Sequence, residues 1–152
     1  MTEATRLPLA GYRVLELAHL VAGPVCGMCL ADMGTEVIKI ESPDDGDASR
    51  SIYAATGDGD GVLFLMVNRN KRSVTLNIAT PEGRALFVDL AARADVVIEA
   101  YRGGVAKKLG SDYASLVARN PRLVYCSLSV FGPDGPWPAS RDSTRSCRRS
   151  AE

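Results

Sequence analysis

At 152 residues, 46% of them hydrophobic, the chain has the length of one domain and enough apolar material for a core; 18 basic against 18 acidic residues leave no formal net charge. That balance argues against a nucleic-acid or membrane-surface role. The absence of a membrane-length apolar run and of a charged start followed by an apolar stretch leads us to expect neither a span nor a secretory leader.

In chain order, residues 1–10 read as a flexible N-terminal arm. Tyr12 to Leu17 reads as a buried strand. Gly23-Pro24 then interrupts the chain, and Pro24 suits the first turn of a helix, where its missing N–H would be unpaired anyway. This helix is expected to reach about Met33, with Gly34 as its stop. Thr35 to Ile40 is a second, β-branched strand. Ser42 to Gly61, rich in Gly, Asp and Ser, is a long loop of the kind that often serves function. Val62 to Val67 fits a short helix or a strand. Ser73 to Ile78 alternates as a strand does. Thr80-Pro81-Glu82 starts a helix, with Thr80 capping, Pro81 in the first turn and Glu82 at the positive end. Leu86, Leu90 and Ala94 repeat at helical spacing along it. Val96 to Glu99 is the next strand, Tyr113 to Arg119 a short helix, and Leu123 to Ser129 a further strand. Strand alternating with helix predicts an open, parallel α/β sheet with right-handed crossovers.

Cys26 and Cys29 stand at C-x-x-C spacing. No second such pair accompanies them, and His19 is the only histidine. The pair therefore reads as small hydrophobes on an apolar helix rather than a metal or redox site, in a reduced, cytoplasmic protein. Four arginines, Arg141, Arg145, Arg148 and Arg149, mark a change of composition after the turn-rich Gly132 to Pro138, and residues 138–152 are expected to be disordered.

In an open parallel sheet ligands bind beyond the carboxyl ends of the strands. Three segments are expected there. Ala18 to Pro24 places a glycine at a helix N-terminus, where backbone or anion can approach. Asn68 to Ser73 offers three cations and two amides, which would hold phosphates or else form a solvated turn. Glu99 to Lys108 combines an aromatic face, an arginine and two lysines with glycines, as a stacked base and a phosphate would need. His19 is either a general base or, more commonly at a strand end, a structural residue. No serine–histidine–acid or paired-carboxylate arrangement follows from the spacing.

The succession L-A-G-Y-R-V-L-E-L, V-A-G-P, G-T-E-V-I-K-I-E, N-R-N-K-R-S-V-T-L-N, T-P-E-G, A-D-V-V-I-E-A-Y-R-G-G and N-P-R-L-V-Y-C-S-L-S-V-F-G-P-D-G-P resembles the family III (CaiB/BaiF) coenzyme A transferases from Leu9 to about Trp137. The resemblance implies a Rossmann-like large domain, whose CoA-binding part would be residues 11–137, and a smaller second domain, in an interlocked homodimer. It implies an acyl-CoA and a carboxylic acid as substrates, with no permanently bound cofactor, metal, nucleic acid or membrane. It also implies transfer of CoA through an aspartyl-CoA thioester, with the carboxylate as nucleophile. Carried over motif by motif, CoA contacts fall on Val21, Ala22, Leu76, Asn77, Ala100, Tyr101, Arg102 and Lys108. Where the family often reads V-E-N-F-R-P-G, this chain has Ala100 for the amide and Gly103 for the proline.

The family's G-[FY]-D-x-x-x-Q-A segment and its catalytic aspartate are not present, so no catalytic residue is assigned. Reading the codons of Arg141 to Arg148 two bases later is compatible with G-F-D-P-L-V-Q, which suggests a frameshift near Arg141. The shifted frame does not allow the histidine that related α-methylacyl-CoA racemases carry there. The expectation is an N-terminal transferase fragment, inactive alone. The alternatives are a racemase fragment, a non-catalytic CoA-binding or partner-completed module, and a product that misfolds.

Overall fold

The computed structural model describes residues 7–53, 59–129 and 132. The expectations for the first residues of the arm, for Cys147 and for the 138–152 tail lie outside them.

Among the described residues five parallel strands form one sheet: β1 (Arg13–Leu17), β2 (Glu36–Glu41), β3 (Lys71–Thr75), β4 (Val96–Glu99) and β5 (Val124–Ser127), in the order β3-β2-β1-β4-β5. This is the strand order of the doubly wound nucleotide-binding sheet, and its direction of winding reverses between β1 and β4. Helices α1 (Ala22–Asp32), α2 (Val62–Val67), α3 (Pro81–Ala91), α4 (Val105–Leu109) and α5 (Tyr113–Val117) connect the strands, with a 3-10 turn at Ala48–Ser51 inside the long loop.

Alternation along the central strands divides the core in two. Leu15, Leu17, Ile40 and Val97 pack with Phe87 and Ala91 of α3 and with Leu116 of α5. Val14, Ala18, Val37 and Ile98 pack with Ala31, Cys26 and Leu30 of α1 on the other face. On that second face the alternating positions Glu16, Lys39 and Glu41 are also buried, so the layer under α1 is part apolar and part ionic.

Several local expectations hold. Gly34 takes φ +102° just after α1 and donates its N–H to Ala31 O at 2.9 Å, a left-handed stop that a side chain would strain. Thr80 Oγ1 accepts from Gly83 N at 3.1 Å with Pro81 in the first turn. Thr80→Ala is expected to cost about 1 kcal/mol in urea unfolding, and Thr80→Ser to retain most of it.

Val62–Val67 takes the helical one of its two expected forms. Others are corrected. The face of α3 turned to the core is Gly83, Phe87 and Ala91; of the expected stripe, Leu90 and Ala94 pack against that core, while Leu86 is exposed. β3 begins at Lys71, two residues before the alternating segment begins. A short helix, α4, carries Lys107 and Lys108, where no element was expected. The described end of the arm is tied down, Leu9 N donating to Met33 O at 3.0 Å.

Candidate functional site

Because all strands are parallel, the segments that follow β1, β3 and β4 emerge at one end of the sheet. There Leu17 and His19 after β1, Ile40, Glu41 and Ser42 at β2, Leu76 and Asn77 after β3, and Tyr101 after β4 line one cavity of about 240 Å3. Its walls are mostly apolar with a few polar groups, the usual make-up of a small-molecule site. Tyr101 also lines a second hollow of about 340 Å3 on the β5 side, together with Arg102, Lys107 and Tyr125. The tyrosine thus stands as a partition between a largely apolar pocket and one with two cations at its rim.

Val21 and Ala22 are exposed at the start of α1, which has neither a side-chain cap nor an acidic residue in its first turn; they line neither cavity. Gly23 lets that turn sit against the sheet: a Cβ there would lie 2.1 Å from Ala18 Cβ and 3.6 Å from Ala100 Cβ. Of the eight residues assigned to CoA, Leu76, Asn77 and Tyr101 converge on the first cavity and Arg102 on the second. Lys108 is exposed and lines neither; its carbonyl accepts from Arg84 at 3.4 Å, and the lysine at the second cavity is Lys107.

The His19 ring lies 6.3 Å from that of Tyr101. Burial lowers its pKa below 6.5 despite the nearby Asp47 carboxylate, so it is neutral at pH 7 and offers one donor and one acceptor rather than a charge. Burial, with Glu99 nearby, raises the Tyr101 hydroxyl to about 12. Cys26, Cys29 and Cys126 are free thiols; Cys29 is exposed rather than a core residue.

The basic block Asn68 to Ser73 is not at the ligand end. It leads into and begins β3, at the amino end of the sheet, and its cations serve the chain itself. Arg69 pairs with Asp32, Lys71 with Glu16 at 2.8 Å and Arg72 with Glu36 at 3.1 Å. The block therefore lies away from the pocket, and the solvated turn describes part of it: Arg69 and Asn70 form an exposed turn, whereas the Lys71 side chain is buried, 2% exposed.

Lys71 belongs to an ionic layer that sequence reading missed. Glu16 pairs with Lys39 at 2.8 Å as well as with Lys71, and Lys39 pairs with Asp47 at 2.6 Å. Beside it, Glu41 accepts from Arg50 Nε and Nη2 and from Ser73, and Arg50 Nη1 reaches Asp60 at 2.6 Å with the guanidinium 3.6 Å above the Phe64 ring. The one cue in the sequence was a charged residue, Glu16 in β1 and Lys39 in β2, with apolar residues on both sides of it. Burial alone would raise the carboxyl groups. In Glu41 the bonds from Arg50, Ser73 and the Asp47 amide outweigh it, and in Asp47 those from Lys39, Ser49 and Leu20 do; each pKa falls to about 2. Folded values below the unfolded ones give stability that is complete above the unfolded pKa, near 4, and is lost as pH falls from there through 2. Acid unfolding followed by circular dichroism is expected to begin below about pH 4; a fold unchanged at pH 2 would contradict this.

The fold and site define a doubly wound parallel α/β sheet with a cavity beyond the carboxyl ends of its strands. The chain belongs to CoA-transferase family III, whose model matches residues 9–143. It is 45% identical over 136 residues to succinate–glutarate CoA-transferase of Agrobacterium fabrum, a match covering 86% of this chain and 34% of that protein. It is 42% identical over 133 residues to the succinyl-CoA–L-malate CoA-transferase beta subunit of Chloroflexus aurantiacus, covering 88% and 33%. The crystal structure of a CAIB/BAIF family protein from Brucella suis superposes with a TM-score of 0.87 at 41% identity, covering 95% of this chain and 39% of that one. The chain thus spans about a third of the length of the curated relatives it matches. Among the described residues no helix is long and apolar enough to cross a membrane.

Proposed function

We propose that residues 11–137 bind the nucleotide part of coenzyme A or an acyl-CoA, as the front part of a cytoplasmic, homodimeric enzyme that exchanges CoA between carboxylic acids. The observation that carries this is the convergence of His19, Leu76, Asn77 and Tyr101, from three strand ends, on one cavity. In this reading Leu76 and Tyr101 offer apolar and aromatic faces to the base. The first turn of α1 and Arg102 neutralise phosphate, and main-chain groups around Ala100 take the contacts that an amide side chain would otherwise share.

We further propose that the chain does not complete the transfer by itself. The aspartyl-CoA route needs a carboxylate free to attack an acyl carbon. At this end of the sheet, Glu41 and Asp47 are held by cations and amides, and Glu99 is buried with one oxygen bound to the Tyr101 amide at 2.8 Å.

Isothermal titration of the 152-residue chain with CoA tests the first part. One site is expected, weakened roughly tenfold by Tyr101→Ala through the loss of a stacking face; no binding at millimolar CoA would overturn it. Incubation with succinyl-CoA and either glutarate or L-malate tests the second. No exchange is expected, and turnover by the purified chain would show that it supplies its own nucleophile.

A further inference from the structure

The buried ions reach the main chain of one loop at three points. Lys39 Nζ donates to Ala18 O at 2.7 Å, Asp47 Oδ1 accepts from Leu20 N at 3.1 Å, and Lys71 Nζ donates to Pro24 O at 2.7 Å. These positions span the β1–α1 connection. Between them Leu20 has φ +68°, a left-handed conformation that a leucine keeps only when its surroundings impose it. Asp47 is itself oriented, accepting from Ser49 N and Ser49 Oγ at 2.8 Å each and donating its amide to Glu41 at 2.8 Å. Glu16 lies between the two lysines and holds them in place. Gly27 makes room for it, since a Cβ there would meet the carboxylate at 2.0 Å.

Apolar side chains could fill the space under α1 equally well, and replacing a buried ion set by apolar residues of similar volume is often neutral for stability. What they could not supply is a donor at Ala18 and Pro24 and an acceptor at Leu20. We propose that Lys39, Asp47 and Lys71 are positioning residues that hold the Ala18–Val21 loop and the first turn of α1 in their ligand-ready shape, with Asp47 fixing the left-handed turn at Leu20. This rests on the reading of that loop as part of the CoA site.

The test is a charge-free layer, with Glu16→Leu, Lys39→Met, Asp47→Leu and Lys71→Met in one chain. The expected result is a Tm within a few degrees of the unaltered chain, a CoA Kd raised more than about tenfold through lost preorganisation, and faster amide exchange confined to residues 18–24. Should that variant not fold, Asp47→Asn is compared in the same way. Equal CoA affinity in the unaltered chain and a folded variant overturns the inference alone. No CoA binding by the unaltered chain overturns the functional reading instead, and the exchange rate at Leu20 then decides whether the ions hold the turn.

Discussion

Replacing Lys39 by alanine is expected to lower the unfolding free energy by about 3–5 kcal/mol, much of the 5–15 kcal/mol typical of a domain. Lys39 is 1% exposed and stands between two carboxylates, Glu16 and Asp47, that are both fully buried. Its removal leaves Asp47 without a cation and Glu16 with Lys71 only. The cost is an uncompensated charge in a poorly hydrated place, so Lys39→Met, which restores bulk, should do little better. Urea titration reads the effect as a fall in midpoint with the slope preserved. A loss below about 1 kcal/mol, the usual worth of an exposed pair, would mean that water reaches these ions. The contrast with the charge-free layer is the informative part: one deletion destabilises strongly, whereas removing all four charges should not.

The second large effect is expected at Gly23. An added methyl group meets Ala18 Cβ at 2.1 Å, far inside van der Waals contact, so the first turn of α1 must lift from the end of β1. Overpacking of this kind typically costs about 1–3 kcal/mol, and the displaced turn carries Val21 and Ala22 away from the crevice. Gly23→Ala should therefore lower both Tm and CoA affinity. Ala18→Gly in the same chain removes the obstructing methyl and should restore much of each. Failure of that rescue would place the difficulty in the helix backbone rather than in the contact.

The doubly wound core was legible because its signals are local. Pro24, Gly34, Thr80 and Pro81 mark helix ends through their own backbone chemistry, and Val96 to Glu99 is apolar enough to be read as a strand without its neighbours. Leu76 and Asn77 were reached only through the family motifs, since nothing near Leu76 in the chain distinguishes it from a core leucine, whereas Tyr101 and Arg102 stood in a segment already marked by its place after a strand and its aromatic and basic residues. The ionic layer was not legible. Glu16 meets Lys39 across 23 positions and Leu20 meets Asp47 across 27, and no periodicity links them. The same blindness left Asn68 to Ser73 open as either a ligand site or a solvated turn. Three cations in a short run suggest an external anion, whereas their actual partners, Asp32, Glu16 and Glu36, come from elements that precede the run by tens of residues.

The winding of the sheet also fixes an order of assembly. β1 lies at the centre and borders β2 almost at once, but its other neighbour is β4, with Val14 opposite Val96. At bacterial-to-eukaryotic synthesis rates of about 5–20 residues per second, β4 leaves the ribosome some 4–16 s after β1. During that interval one flank of the central strand has no mate in the nascent chain, and the half-pocket after β1 has no opposite wall. The cavity lined by His19, Asn77 and Tyr101 can close only once Tyr101 has emerged.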